Sequence, residues 1–350
     1  MKRENFNPEH QDFRDSVRRF VTDEIMPNFG QWEEDGIVPR ELFGKAGEKN
    51  MLAMSVSEEY GGLGLKDFRF NQIVGEEGYY RGVTGAMLGI TLHNDVCLPY
   101  FEEYCNDEQK ERWLPGIVDG SLITAVAMTE PGIGSDLASM STKAIRDDDH
   151  YVVDGSKTFI TNGVNADLII TAVKTDPKEK HRGISIVIIE RGMAGFERGR
   201  NLEKVGMHSQ DTAELFFNDV EVPVENLLGS EGDGFKYLVS NLAQERMSIA
   251  VAAVAAAQAA LNWTLDYVKE RYAFGSPIGT FQNSRFQMAE IKTEVDIGTV
   301  FIDRCVEALN EGTLTVEDAA EAKWWATEMA DRVIDKCVQL HGGYGYMLEY

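Results

Sequence analysis

Glu245 is the titratable residue whose position in the sequence most directly suggests catalysis. It interrupts an apolar stripe at helical spacing in the long helix predicted after Gly234. The stripe consists of Leu238, Leu242, Ile249, Ala253, Ala256, Ala260, Trp263 and Tyr267. A carboxyl group that faces a core has its pKa raised, by up to about 3 to 5 units on complete burial, and so becomes a suitable general base near neutral pH. An ion pair of Glu245 with Arg246 or with a neighbouring helix is the alternative interpretation.

A glycine-rich segment at residues 128–136 is the second candidate, because it directly follows an apolar run. The dinucleotide fingerprint G-x-G-x-x-G would need glycine at position 137, where Leu137 stands, and no Gly-Lys-Ser/Thr follows. Both common nucleotide motifs are therefore excluded. Two glycines flanked by Thr129 and Ser135 still let the backbone approach a flat or anionic ligand closely. An ordinary glycine-rich exit from a strand is the alternative interpretation.

Composition restricts the classes of function. The 350 residues are 43% hydrophobic and carry a formal net charge of -24. Such acidity argues against nucleic-acid binding, and it requires that an anionic ligand be met by locally placed Arg, Lys or backbone N–H groups. The histidines and cysteines show no metal-ligand spacing, so no metal is predicted. We predict buried core thiols at Cys97, Cys105, Cys305 and Cys337.

The sequence offers no signal for a membrane or a secretory route. Its most apolar stretch, residues 249–261, is mostly alanine and too short to span a bilayer. No apolar core follows the charged residues at the start, so neither a secretion signal nor a transit peptide is predicted. We therefore expect a soluble protein without a membrane span. Its expected location is the cytoplasm of a bacterium, or the mitochondrial matrix for a processed eukaryotic form.

The pattern of apolar residues changes twice along the chain and predicts three domains in an α+β multidomain protein. Residues 1–120 read as an α-helical domain. Residues 121–230 read as a β domain with a hairpin tip at residues 147–150. Residues 231–350 read as a helical bundle, since two further helices keep a three-then-four spacing. Their stripes are Met288, Ile291, Val295, Gly298, Ile302, Cys305 and Leu309, and Ala322, Ala326, Met329, Val333, Cys337 and Leu340.

Four motifs in order resemble the signatures of the acyl-CoA dehydrogenase family, most closely the long-chain acyl-CoA dehydrogenase type. They are residues 129–136 (TEPGIGSD), 155–163 (GSKTFITNG), 270–275 (ERYAFG) with Gln282, and 339–345 (QLHGGYG). The resemblance covers the whole chain. It implies an N-terminal α-helical domain, a central β-barrel-like domain and a C-terminal four-helix bundle, whose last part this sequence lacks. It also implies a homotetramer, assembled as a dimer of dimers.

The resemblance further implies an FAD site between the β domain and the bundle. Its isoalloxazine and ribityl part would be held by Val126, Ala127, Met128, Thr129, Gly134, Ser135, Phe159, Ile160 and Thr161. Its pyrophosphate and adenine end would be held across a subunit interface by Arg271, Phe274, Gln282, Gln339, Leu340, His341, Gly342 and Gly343. The acyl-CoA substrate would be placed by Ser135, Ala243, Gln244, Glu245 and Arg246.

The catalytic base differs among members of the resembled family. Many carry a glutamate some distance after the position of Gly345, beyond the end of this sequence. The long-chain and isovaleryl types carry it immediately before a helix arginine, which Glu245 and Arg246 match. The resemblance therefore implies that Glu245 is the base. It assigns the stabilisation of the thioester oxygen to the backbone N–H of Glu245 and a ribityl hydroxyl of FAD.

The implied reaction is the α,β-dehydrogenation of a fatty acyl-CoA, of medium to long chain, to trans-2-enoyl-CoA. Electrons would pass to an electron-transfer flavoprotein. Two alternatives stay open: an acyl-CoA oxidase, which returns electrons to oxygen, and a non-catalytic flavin- or acyl-CoA-binding assembly partner. The sequence leaves the chain-length preference open, because Ala252, Ala253, Ala256 and Ala257 suit both an acyl tunnel and close helix packing.

Overall fold

A computed structural model describes residues 3–349. The order of elements follows the predicted pattern, with helices up to Asp119, strands between Thr124 and Pro223, and helices again from Gly234. Contacts among the described residues divide the chain into two compact units. Among the described residues, the helical unit takes 3–21, Phe68–Val83 and 243–349, and the sheet unit takes Thr22–Asp67 and Thr84–Leu242.

Long helices α8, α9 and α10 dominate the helical unit. They span Gly234–Glu270, Gln282–Asn310 and Val316–His341, and α8 enters this unit at Ala243. Shorter helices α1 (Pro8–Phe20) and α4 (Phe68–Tyr79) complete it. A two-stranded hairpin, β8 (Tyr272–Ala273) and β9 (Ser276–Pro277), follows α8.

The three long helices share one apolar core at helical spacing. The stripes predicted for α9 and α10 are confirmed, since every member is buried except Leu309 and Leu340, which are half-buried. The α8 residues in this core are Met247, Ala250, Val251, Val254, Ala257 and Leu261. By length and composition α8 could also cross a membrane, a test that the core helix of a soluble protein passes equally.

A charged cluster joins α1 and α4 to α9 inside the helical unit. Arg3 donates to both Glu76 and Asp303, and Arg14 donates to Glu76 and Glu77 at 2.8 and 3.0 Å. Burial by itself would raise the pKa of Glu76, but the two arginines together hold it below its ordinary value. Buried carboxylates survive in a core when they are paired in this way.

The second unit contains five shorter α-helices, the start of α8 and a sheet. The helices are α2 (Met26–Asp35), α3 (Glu41–Glu48), α5 (Thr84–Thr91), α6 (Leu98–Tyr104) and α7 (Asp107–Asp119). A π-helical turn, Leu92–Cys97, joins α5 to α6 and carries the buried His93, Asn94 and Asp95. All four cysteines of the chain are buried free thiols, as predicted.

The sheet has seven strands in the order β1-β4-β2-β3-β7-β6, with β5 paired to β4. They are β1 (Thr124–Ala127), β2 (Lys143–Asp147), β3 (His150–Thr161), β4 (Leu168–Lys174), β5 (Ile184–Glu190), β6 (Phe196–Asn201) and β7 (Thr212–Pro223). The predicted hairpin tip lies between β2 and β3, where Asp148 has φ +48°. Strand β4 is buried on both faces, so its side chains alternate between the helix-covered core and the core of the sheet.

Candidate active site

Glu245 lies half-buried in α8, but the stripe that it interrupts is not the packed face of this helix. Two members of that stripe, Ile249 and Trp263, are 40% and 50% exposed. The packed face is centred on residues such as Met247, and at about 100° per residue Glu245 points to the opposite side of the helix. The stripe prediction was therefore wrong, because alanines make α8 apolar on most sides and the spacing no longer selects one face.

The backbone amide of Glu245 is also placed differently from expectation. Glu245 stands in the interior of α8, where each N–H donates to the carbonyl four residues earlier. Its amide is therefore used by the helix, and the assignment of this N–H to the thioester oxygen is wrong. The side chains of Ala243, Gln244 and Arg246 are half-buried on the same turn.

The glycine-rich segment leaves β1 over a buried ion pair. Lys157 is fully buried, and its Nζ donates to Glu130 Oε1 and to the carbonyl of Met128, both at 3.0 Å. Glu130 also accepts from the N–H and hydroxyl of Ser141 and from the N–H of Thr142. Burial by itself would raise the pKa of Glu130, but Lys157 and the Ser141 hydrogen bonds lower it to about 2. The pair thus fixes the base of the segment, while Gly134 and Ser135 stay exposed.

The strand segment 159–161 is attached to this glycine-rich segment. Thr158 N–H donates to Thr129 O at 2.9 Å, so the two predicted flavin segments lie side by side. The β3–β7 register shifts between Lys157 and Ile160, and Phe159 there has φ +59°. Its ring is 68% exposed, whereas Ile160 is buried. A positive φ at an aromatic residue is costly, and strain of this kind clusters at functional sites.

A second group of predicted residues lines one cleft of about 560 Å³ in the helical unit. The cleft is lined by Tyr267, Arg271, Ile278, Leu340, His341, Gly342, Gly343, Tyr344 and Met347. Tyr267 stacks on His341 with ring centroids 4.2 Å apart, and the Arg271 guanidinium lies 5.3 Å from the Tyr344 ring centroid. Aromatic planes beside a forked cation suit a planar ligand that carries phosphate.

Three residues predicted for the same end of the cofactor lie outside this cleft lining: Phe274, Gln282 and Gln339. Phe274 occupies the tip of the β8–β9 hairpin with Gly275, at φ +51° and +79°, and is 98% exposed. Two successive positive φ values are typical of a type I′ turn, which projects the Phe274 ring outward. Gln282 and Gln339 are both exposed.

Comparison with known proteins decides the family. Models of the acyl-CoA dehydrogenase N-terminal, middle and C-terminal domains match residues 7–121, 125–220 and 232–350. The chain belongs to the acyl-CoA dehydrogenase family. Its helical, sheet and helical regions are the three-domain fold of these enzymes, and the expected fold class is confirmed.

Similar proteins include enzymes of the long-chain type. The mitochondrial long-chain specific acyl-CoA dehydrogenase of Sus scrofa is 43% identical over 99% of this chain and 80% of its own length. A crystal structure of an acyl-CoA dehydrogenase from Geobacillus kaustophilus is 51% identical, with a TM-score of 0.96 over 99% of this chain and 90% of that one. A structure described as an electron transferring flavoprotein of Acidaminococcus fermentans is 35% identical, with a TM-score of 0.94 over 100% and 91%.

As an acyl-CoA dehydrogenase the protein is an FAD-dependent oxidoreductase that acts on CH–CH groups. The residue types at these positions fit FAD. A Cβ atom added at Gly132 or Gly134 would meet nothing within 4 Å, which leaves room for a flat ring beside the exposed backbone. The cleft around Arg271 offers a cation and aromatic surfaces for a nucleotide.

Sequence reasoning missed several residues that shape these sites. Lys157 stood within a quoted motif, but nothing in the sequence signalled that it would meet Glu130, 27 positions earlier. Tyr344 stood within the last motif and Tyr267 was taken for a core residue, yet both line the cleft. Aromatic residues beside an arginine would have been the signal for them.

Proposed function

We propose that the chain oxidises medium- to long-chain fatty acyl-CoA thioesters to trans-2-enoyl-CoA and passes the electrons to an electron-transfer flavoprotein. The observation that carries the chain-length part is the 43% identity to a long-chain specific enzyme over 99% of the chain. A chain similar to this one occurs in a structure whose description concerns an electron transferring flavoprotein, and this supports such a flavoprotein as the electron acceptor. A bacterial cytoplasm or a mitochondrial matrix stays the predicted location.

Glu245 is our candidate for the base that removes the α proton of the thioester. Glu245 is half-buried on the side of α8 that faces away from the apolar core of the long helices, so its carboxyl group is not part of that core. General bases of this kind contribute about 10²- to 10⁴-fold in rate. FAD, when bound, supplies the acceptor for the hydride that leaves the β carbon. Arg246 follows Glu245 directly and is our candidate for placing the acyl-CoA.

Each of the two residue groups described above is proposed to contact one end of an FAD molecule. In the sheet unit these are the segment from Val126 to Ser135 and the strand residues 159–161, whose mutual positions depend on Lys157 and Glu130. In the helical unit Arg271 and the residues from Leu340 to Gly343 are proposed to take the nucleotide end. Arg271 provides the phosphate contact that an acidic protein cannot supply through its overall charge.

We also propose a homotetramer. Large apolar side chains stand exposed on the outer faces of α8, α9 and α10, where a soluble monomer would carry polar residues. They are Trp263, Phe286, Ile297, Val300, Trp324, Ile334 and Val338. Phe274, Gln282 and Gln339, which lie outside the cleft of their own chain, are then candidates for contacts to a cofactor held by a neighbouring subunit. Molar mass in solution from light scattering tests the assembly.

An anaerobic titration with acyl-CoAs of increasing chain length tests the reaction. We expect the flavin absorbance to bleach, most rapidly with one length class. Glu245→Gln should retain the yellow flavin and lose bleaching rate by about 10²- to 10⁴-fold, because the α proton has no acceptor.

Glu270→Gln, at an exposed position of the same helix, is the matched control and should bleach like the unmodified protein. Bleaching of Glu245→Gln at a near-normal rate would refute the role of Glu245. Hydrogen peroxide release after bleaching in air would identify an oxidase, and a flavin that never bleaches would identify a non-catalytic binding protein.

A further inference from the structure

The peptide bond between Met128 and Thr129 has a buried cation on one side. Lys157 Nζ donates to the Met128 carbonyl at 3.0 Å, and the side chain of Lys157 is fully buried. The described residues contain no cis peptide bond, so the Thr129 N–H points away from Lys157, on the opposite side of the peptide unit. The negative end of this peptide dipole therefore contacts the ammonium group, and its positive end is directed away from it.

The Thr129 N–H has no hydrogen-bond acceptor among residues 3–349. Thr129 is half-buried, and its own carbonyl accepts from the Thr158 N–H at 2.9 Å. Main-chain donors that are withdrawn from water are nearly always paired, so an unpaired one indicates a partner that the chain itself does not provide. The nearby Gly132 and Gly134 have open space at their Cβ positions. The N–H can therefore donate to a ligand that lies against the glycine-rich segment.

The ammonium of Lys157 has a larger effect on this peptide than the carboxylate that it pairs with. The charge of Glu130 is shared by four donors: Lys157 Nζ, the Thr142 N–H, and the N–H and hydroxyl of Ser141. Lys157, in contrast, contacts the Met128 carbonyl directly. Hydrogen bonds in series polarise one another, so a cation on the carbonyl oxygen strengthens the N–H of the same peptide as a donor.

A strengthened donor of this kind suits a ligand that becomes more negative during the reaction. Hydride transfer brings two electrons and one proton to FAD, so the reduced ring holds one negative charge until it takes up a further proton. Donors that are fixed in advance where charge develops stabilise that charge without having to reorganise. Met128 and Thr129 both belong to the residues proposed to contact the flavin end of FAD.

We propose that Lys157 acts through the Met128–Thr129 peptide to make the site bind reduced FAD more tightly relative to oxidised FAD, an inference that rests on the proposed position of the flavin. Lys157 is fully buried, so it is a positioning residue that acts through the backbone. Tighter binding of the reduced form raises the midpoint potential of the bound flavin, by about 30 mV for each tenfold in the ratio of the two Kd values. A purely structural role would weaken the binding of both forms equally and leave this ratio unchanged.

The test is the midpoint potential of the bound flavin, measured by reductive titration against a reference dye without acyl-CoA. In Lys157→Met we expect the ratio of Kd for oxidised FAD to Kd for reduced FAD to fall by about tenfold, because the cation is lost and Glu130 stays ionised through its other hydrogen bonds. Lys157→Met/Glu130→Gln removes both charges, so its ratio should fall below that of the unmodified protein but by less. Lys49→Met and Glu221→Gln, at exposed positions of the same unit, are the controls and should keep the ratio.

The outcomes separate this inference from the proposed function. An unchanged ratio in the double variant would overturn the role of Lys157, and this comparison holds even if Lys157→Met alone does not fold. Equal losses of affinity for oxidised and reduced FAD would overturn it in the same way. No acyl-CoA enters the measurement, so a flavin that never bleaches with acyl-CoA in the unmodified protein would refute the proposed reaction alone. Absence of bound FAD from the unmodified protein would refute the proposed cofactor site and this inference with it.

Discussion

The buried ammonium of Lys157 is the single group on which the glycine-rich segment most depends. Lys157→Met would leave the Glu130 carboxylate buried without its cation, a change that typically costs about 3 to 5 kcal/mol. We expect a loss of this size in the free energy of unfolding, measured by chemical denaturation, together with weaker retention of the flavin. The second effect follows because Met128 and Thr129 lose their fixed position.

Two further variants make this test specific. Lys157→Met/Glu130→Gln removes both charges and should recover part of the lost stability, since an apolar or neutral pair is less costly than one unpaired charge. Lys49→Met, at an exposed lysine, should change the free energy of unfolding little. Equal stability of Lys157→Met and the unmodified protein would contradict the role given to the pair.

At the scale of elements, Gly298 determines how closely the long helices approach. A side chain at Gly298 in α9 would meet Met329 Cε and Trp325 Cζ3 of α10 at 3.1 Å and Val254 Cγ2 of α8 at 3.4 Å. Gly298→Leu therefore has to displace two helices. We expect it to lower the free energy of unfolding by about 1 to 3 kcal/mol, the usual cost of overpacking a core.

The control for Gly298 is another helical glycine with open space. Gly30 in α2 has nothing within 4 Å of its side-chain position. Gly30→Ala should stabilise the protein by up to about 1 kcal/mol, because alanine is the better helix former. If Gly298→Leu were as stable as the unmodified protein in thermal and chemical denaturation, the close approach of the three helices would be disproved.

The elements also show where sequence reasoning succeeds. In α9 and α10, charged residues occupy the positions between the apolar ones, so the spacing identified the buried faces correctly. In α8, alanines lie on most sides of the helix, so the sequence shows no contrast between an apolar and a charged face. The predicted stripe therefore fell on the wrong face. The motifs predicted that Arg271 and residues 340–343 bind the same end of the cofactor, and in the structure these residues line one cleft. The ion pair of Lys157 with Glu130 could not be predicted, since the two residues are 27 positions apart and meet only when β3 lies beside the segment that follows β1.

At the scale of the whole molecule, each of the two units contains a buried ionisable group that acid would disturb. In the sheet unit, His93 Nδ1 accepts from Thr124 N–H, and Nε2 lies 3.0 Å from Ile117 O, which requires the neutral ring. Burial lowers the pKa of His93 from 6.5 to about 4, although the Ile117 carbonyl opposes this. In the helical unit, the pKa of Glu76 is lowered from 4.5 by Arg3 and Arg14 against the effect of burial.

Both groups make the protein less stable in acid, but in different pH ranges. The unfolded chain takes up the His93 proton near pH 6.5 and the folded one only near pH 4, so stability falls as pH decreases between these values. Protonation of the Glu76 carboxylate lowers the stability further, but only below pH 4.5. Over the first range we expect a decrease of about 3 kcal/mol in the free energy of unfolding.

Chemical denaturation at pH steps from about 8 to about 4.5 measures this decrease, and a variant without the His93 imidazole shows how much of it comes from His93. His93→Gln keeps a donor for Ile117 O and an acceptor for Thr124 N–H but takes up no proton, so its stability should vary less with pH over this range. His208→Gln, at an exposed histidine, is the control and should keep the pH dependence of the unmodified protein. A His93→Gln profile parallel to that of the unmodified protein would show that His93 does not control acid stability in this range.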